Sequence, residues 1–194
     1  MAIERIAIQQ FMQIAGKYPI LDVRSPGEFS HAHIPGAYNF PLFTDEERKK
    51  VGTIYKQVSR EAAIKEGLKY FGSKMTEMIG QAEAITKQFY SSGNTEGTGS
   101  KTVLVHCWRG GMRSAGVAWL LDLYGFRVLS LAGGYKSFRN LCIAQFSKEY
   151  LFVVIGGYTG SGKTDLLHSL LQQHKSIVDL EALASNKGSA FKRL

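Results

Sequence analysis

Cysteine is scarce in this sequence: 194 residues hold two, Cys107 and Cys142. Two thiols with no CxxC pair cannot build a disulfide framework, so the expected setting is a reducing cytoplasm with free thiols. Long apolar runs are also missing. Uninterrupted apolar stretches run to seven residues, as at Ala115 to Leu121 and Leu151 to Gly157, against the ~20 that a membrane span needs. The opening MAIERIAIQQFMQIAG has no cationic region leading into an apolar core, and so does not read as a secretory signal. Acidic residues are outnumbered, 16 against 24 Lys and Arg, for a formal net charge of +8. That excess points to an anionic partner: nucleic acid, phosphate compounds or an acidic surface. No dense Lys/Arg run singles out nucleic acid on charge alone. An apolar fraction of 44% and a charged fraction of 21% exclude a disordered tail or a collagen-like repeat. The length suits one domain or two small ones.

Periodicity organises the chain into strand–loop–helix alternation, the signature of a parallel α/β architecture. Helical spacing predicts a helix from Ile3 to Ala15, stopped at Gly16, and the apolar run Pro19 to Val23 a buried strand. The proline-rich segment SPGEFSHAHIPGAYNFPL predicts loop with short helical pieces. Asp45 to Phe71 predicts an amphipathic helix with interruptions at Gly52 and Gly67, its apolar stripe running through Val51, Ile54, Tyr55, Val58, Ala62 and Ile64. Met75 to Tyr90 is a further helix, and Ser91 to Ser100 a flexible connection. Strands are then predicted at Lys101 to His106, Phe126 to Leu131, Tyr150 to Ile155 and Ser176 to Leu180. Helices fall at Arg113 to Tyr124, from Gly133-Gly134 to about Phe146, and from Thr164 to about Gln173. The predicted domains are residues 1–146 and 150–194, with the break near Ser147 to Glu149.

Two loops carry chemistry. In VLVHCWRGGMRSAGVAWLL, Cys107 stands at the carboxyl end of a strand and just before a helix. Backbone N–H groups of a loop entering a helix converge and favour an anion, and Gly110 and Gly111 let the backbone curl. Arg109 and Arg113 add positive charge. Such surroundings lower a thiol pKa from about 8.5 towards 3.5–7.5 and make a nucleophilic thiolate at neutral pH. Cys142, in FRNLCIAQF with Leu141 and Phe146, reads as core, and His106 as the end of its strand.

DVRSPGEFSHAHIPGA (Asp22 to Ala37) and HCWRGGMRS resemble the two signatures of rhodanese-like domains. The resemblance implies a parallel sheet flanked by helices, a cysteine that accepts sulfur as a persulfide and passes it on, and a structural role for Asp22 and Arg24. The Cys-x5-Arg spacing from Cys107 to Arg113 also fits the related dual-specificity phosphatases, whose arginine grips phosphate; Trp108 and the Gly110-Gly111 pair are not typical of them.

The second loop, Gly157 to Thr164, reads GYTGSGKT and matches G-x-x-x-x-G-K-[ST] between a predicted strand and a predicted helix. Gly157, Gly160 and Gly162 shape it, backbone N–H groups of Thr159 to Lys163 would cradle a diphosphate, Lys163 would reach the outer phosphate, and Thr164 would ligate Mg²⁺. Asp179 or Glu181 would be carboxylates near the phosphates, or equally a solvated strand end. From Tyr150 onward only about 45 residues remain, below the size at which a domain usually stabilises itself. The second domain is therefore expected to be the opening part of a P-loop domain.

The segments DEERKKVGTIYKQVSREAAIKEG, CWRGGMRS, GGYKSFR, GGYTGSGKT and DLEALASNKGSAF together resemble the tRNA 2-selenouridine synthases, over essentially the whole chain. That resemblance implies an enzyme acting on wobble 2-thiouridine of tRNA. It geranylates the sulfur with geranyl diphosphate, then installs selenium from selenophosphate. It implies Cys107 as the selenium carrier, an S-selanylcysteine, and Gly157 to Thr164 as the site for the diphosphate of geranyl diphosphate or of a nucleotide. Where the family reads His-Arg-Gly-Ser, this chain has Asn186-Lys187-Gly188-Ser189. A generic rhodanese-type sulfurtransferase and an inactive truncated product are the alternatives.

Overall fold

The computed structural model describes residues 3–91, 101–158, 160–173 and 175–183. It divides into two compact units, Met1–Lys148 and Glu149–Leu194. The first unit is built on a five-stranded sheet of β1 (Glu4–Ile6), β2 (Ile20–Asp22), β3 (Ala37–Asn39), β4 (Thr102–His106) and β5 (Arg127–Leu131). The strand order is β1-β5-β4-β2-β3 and every pairing is parallel. Central β4 is buried at all five positions, as expected of a strand covered on both faces.

Helices cover both faces. Leu21, Val103, Val105, Val117, Leu121, Phe71 and Met78 pack in one apolar cluster, and Ile6, Phe11, Ile20, Leu104 and Leu131 in the other. The alternation along β4, Val103 and Val105 one way and Leu104 the other, is the period-two geometry of a strand dividing its side chains between two layers.

Several expectations are corrected. The N-terminal stretch is not one helix: Glu4–Ile6 pairs with β5 and the helix is α1 (Ile8–Ile14). Ile3 and Ile6 are a helical spacing apart, yet they pack into opposite clusters, as residues three apart on a strand do, and pairing with β5 makes the strand. The proline-rich segment contains α2 (Pro26–His31) and also β3, a three-residue edge strand too short to give a period. The break in the following helical region lies at Val58-Ser59, between α3 (Asp45–Gln57) and α4 (Arg60–Ser91). The Ser59 hydroxyl accepts from the Ala62 N–H at 3.1 Å, so Ser59 caps α4. Neither Gly52 nor Gly67 interrupts a helix. Gly67 lets Phe43 approach, because a Cβ there would lie 3.2 Å from its ring. No residue of α3 is buried, and Tyr55 and Val58 of the predicted apolar stripe are exposed.

After β4 come α5 (Met112–Leu123) and, following β5, α6 (Gly134–Gln145). Cys142 is half-buried rather than core, and Phe146 is exposed. The predicted Ser91–Ser100 connection lies outside the described residues from 92 onward, as does Asn186 to Leu194.

The second unit contains α7 (Lys163–Gln172) and α8 (Leu180–Leu183). The strands predicted at Tyr150 to Ile155 and Ser176 to Leu180 do not form. An isolated strand leaves its backbone groups unpaired, and no described strand of this unit lies beside either segment. Leu151, Phe152, Val153 and Val154 are largely exposed, and none of the unit's described residues is buried.

Candidate active site

The carboxyl ends of β2, β4 and β5 bring three chain segments to one edge of the sheet, where parallel α/β folds place their ligands. From β4, Cys107 and Trp108 follow the buried His106. From β2 come Asp22 and Arg24. From β5 comes the turn Gly133-Gly134-Tyr135.

Cys107 is 3% exposed. Its sulfur lies 3.3 Å from the Ser114 Oγ and accepts from the Gly111 N–H at 3.3 Å. Burial pushes the thiol pKa up. The Ser114 hydroxyl, the backbone N–H groups of Ser114 and Gly111, and the charge of Arg113 outweigh it and hold the thiol below its ordinary value. This is the anion-favouring loop that the sequence describes, with Ser114 as a contributor the spacing did not single out. A hydroxyl one turn into the helix after a cysteine loop is the signal that could have found it.

The two arginines are placed differently. Arg109 is exposed. Arg113 donates from Nη1 to Glu28 Oε2 at 2.7 Å, and Arg48 approaches the same carboxylate at 3.4 Å. Glu28 loses solvent, which raises its pKa, but the Arg113 hydrogen bonds and charge, the Ser25 N–H and Arg48 bring it down to about 2. Ser25 and Glu28 form a capping box at the start of α2, a pattern visible in S-P-G-E. The link from Glu28 to Arg113, 85 residues apart, is not. Arg113 is thus held beside the loop by a carboxylate.

The loop is clamped from behind. The Tyr135 N–H donates to the Cys107 carbonyl at 2.8 Å and the Lys136 N–H to that of Trp108 at 3.0 Å. This close approach requires Gly134, which has φ +58°; a Cβ there would collide with the Cys107 carbonyl and lie 2.6 Å from the Gly110 N and 2.9 Å from the Arg109 N. Gly134→Ala is therefore expected to cost on the order of 2–5 kcal/mol in denaturant unfolding. Gly36→Ala, at φ +78° with nothing within 4 Å, should cost only about 1–2 kcal/mol. Equal costs would show that the clamp is not tight.

Beneath the loop, Arg24 is 1% exposed and ion-paired with fully buried Asp22. Its guanidinium also donates to the Ala32 carbonyl at 2.8 Å and lies 4.0 Å from the centre of the Tyr135 ring. His106 ends β4 in this layer, 3.7 Å from Asp22, and burial brings its pKa down to about 4. It is neutral at physiological pH, and its fully buried ring lies against Phe11 and Tyr135 with no hydrogen-bond partner at either nitrogen among the described residues.

In the second unit, Gly160 and Gly162 adopt φ +82° and +78°, and Gly162 begins α7. Lys163 Nζ donates to the carbonyls of Gly157 and Tyr158 at 2.9 and 2.7 Å, across the mouth of the loop. At Gly157 a Cβ would lie 2.7 Å from the Ser161 Oγ, so the loop closes on itself there. Thr164 is exposed in the first turn of α7. Its hydroxyl fits Mg²⁺, which keeps several waters and needs few protein ligands beside phosphate. Asp179 accepts from the Ala182 N–H at 3.0 Å and opens α8. Among the described residues no group of three or more His, Cys, Asp or Glu could hold a metal by itself. Thr159 and the side chain of Glu181 lie outside the described residues. No described helix is long and apolar enough to cross a membrane.

Comparison with known proteins supplies an independent view. Residues 8–141 match the family model of the rhodanese-like domain, and residues 150–194 that of the tRNA 2-selenouridine synthase AAA domain. A tRNA 2-selenouridine synthase of Bdellovibrio bacteriovorus is 41% identical over 177 residues, covering 89% of this chain and 43% of that protein. One from Bordetella bronchiseptica is 40% identical over 181 residues, covering 91% of this chain and 45% of its own length. The chain thus spans less than half the length of these relatives. Among solved structures, the N-terminal domain of a Clostridium difficile 630 protein superposes with a TM-score of 0.61 at 34% identity, covering 73% of this chain and 99% of that one.

Proposed function

The chain belongs to the rhodanese-like family, with sequence of the tRNA 2-selenouridine synthase AAA domain following its sheet, and we propose that it takes part in replacing sulfur by selenium at the 2-position of a wobble uridine in tRNA. The observation that carries this reading is a thiolate-stabilising Cys107 loop and, in the second unit, a G-x-x-x-x-G-K-T loop opening a helix.

In the first stage the sulfur of 2-thiouridine attacks the C1 carbon of geranyl diphosphate, the C–O bond breaks, and diphosphate leaves with the electron pair. The Gly157–Thr164 loop would receive that diphosphate, with Lys163 and a Thr164-bound Mg²⁺ balancing its charge; a nucleotide is the other diphosphate the loop suits. In the second stage the Cys107 thiolate attacks the selenium of selenophosphate. An S–Se bond forms and the Se–P bond breaks with its electron pair on phosphorus, so phosphorus(V) leaves as phosphite while sulfur and selenium together give up the two electrons. The terminal selenide attacks C2 of the base and expels geranyl thiolate. An external thiol then opens the S–Se bond, leaving selenium on the uridine and a mixed disulfide on Cys107. The residues of this chain contribute anion stabilisation throughout: Gly111, Ser114 and Arg113 hold the thiolate, and Glu28 fixes Arg113.

Incubation of thiolated tRNA with geranyl diphosphate and selenophosphate, followed by nucleoside mass spectrometry, is expected to yield geranylated and then selenated uridine. Neither product from the intact chain would refute the reading. Lys163→Ala should weaken binding of geranyl diphosphate at least about tenfold, since it removes a charge-assisted contact of about 1.5–3 kcal/mol. Unchanged affinity would show that the loop is idle.

A further inference from the structure

Beside the cysteine loop lies an open cleft of about 620 Å³ whose lining includes Arg24, Arg48, Lys49, Trp108, Tyr135 and Arg139. Its volume is in the range of small-ligand sites, and its chemistry is uneven. The two carboxylates that line it are already engaged: Glu28 holds Arg113 and Arg48, and Asp45 accepts from the Gly27 N–H at 3.0 Å. Arg24 is committed to Asp22, the Ala32 carbonyl and the Tyr135 ring. Lys49 and Arg139, both exposed, pair with no carboxylate among the described residues. Trp108 is partly exposed, its ring braced by Tyr135 at 5.6 Å between centroids.

Two available cations on separate helices and a braced aromatic ring form the combination by which proteins hold single-stranded nucleic acid: charge along the backbone and a ring for a base to stack on. Trp108 directly follows Cys107, so a base held there is presented to the loop that carries the thiol. We propose that this cleft binds a single-stranded segment of the RNA substrate, with one base stacked on Trp108 and backbone phosphates at Lys49 and Arg139. The proposal rests on the tRNA reading above and locates where that substrate meets the first unit.

Trp119→Phe, a conservative change at a half-exposed position, leaves Trp108 as the one remaining tryptophan of two. Titrating that variant of the chain with a short uridine-containing single-stranded RNA at low salt should give saturable quenching of tryptophan fluorescence. Lys49→Ala and Arg139→Ala should each weaken binding about 3- to 10-fold and each reduce the salt slope by about one. Read by fluorescence anisotropy of labelled RNA, since these variants lose the reporting tryptophan, Trp108→Ala should weaken binding about 5- to 150-fold, and Trp108→Phe should recover part of that loss. RNA that binds without quenching and with unchanged affinity in the Lys49 and Arg139 variants overturns the proposal, as does failure of RNA to bind at all. A mononucleotide that competes with RNA at equal affinity would make this a nucleotide site instead and also overturns it. Nucleoside mass spectrometry separates the two readings. Selenated uridine formed equally by the cleft variants leaves the tRNA reading standing and removes the cleft. Quenching by RNA without any uridine product from the wild type does the reverse.

Discussion

Cys107→Ala is expected to reduce selenium incorporation into tRNA at least about a thousandfold, because it removes the nucleophile proposed to carry the transfer. Geranylation should be less affected, since on the proposed reading the diphosphate would leave through the Gly157–Thr164 loop and not through the thiol. Equal loss of both products would contradict the division of labour between the two loops. The variant should remain folded: Cys107 is buried, but the clamp from Tyr135 and Lys136 is made to backbone carbonyls and does not involve the sulfur. The same geometry predicts a pH dependence. Alkylation of Cys107 should level off at a lower pH than that of a free cysteine, because the folded thiol lies below its ordinary pKa. Ser114→Ala should move the midpoint upward by removing the first of the interactions that oppose burial. A midpoint indifferent to Ser114 would show that the hydroxyl is not a thiolate donor.

The second large effect is on stability. Asp22→Ala leaves the guanidinium of Arg24, 1% exposed, in the protein interior without its counter-charge. Breaking one side of a buried pair costs about 3–5 kcal/mol, on the order of 10 °C in Tm for a chain of this size. Replacing both partners, as in Asp22→Leu with Arg24→Met, should recover much of that loss, because the uncompensated charge is then gone. The loss should reach the active site as well. Arg24 lies against Tyr135, whose N–H holds the Cys107 carbonyl, so Asp22→Ala should loosen the loop and slow the thiol's reaction. A single-variant cost below about 1 kcal/mol would mean that the pair is not the brace described here.

What the sequence discloses follows from how local each interaction is. The Cys107 loop and the Gly157–Thr164 loop are legible because their chemistry needs fixed residue types within a few positions: glycines to turn, a cation to hold charge, a helix start to aim N–H groups. The central strands β2, β4 and β5 are legible as apolar runs between turns. The edge strands β1 and β3 are not: β2 is equally short but lies wholly buried in an apolar run, whereas most positions of β1 and β3 are not buried and these strands exist through pairing with one neighbour. The engagement of Arg113 by Glu28 and the fit of Gly134 against the Cys107 carbonyl join residues far apart in the chain, and neither leaves a local signature. Tyr150 to Ile155 shows the converse error. Its apolar run resembles a buried strand, yet a strand is a relation between segments, and here Tyr150 to Val154 are exposed.

Cys107 is the residue proposed to accept the chalcogen. Incubating the full chain with selenophosphate under non-reducing conditions and mapping its peptides by mass spectrometry tests this directly. The expected result is a mass increase of one selenium atom on the peptide that contains Cys107, absent from Cys107→Ala. Selenium found on the Cys142 peptide, or on neither, would contradict it.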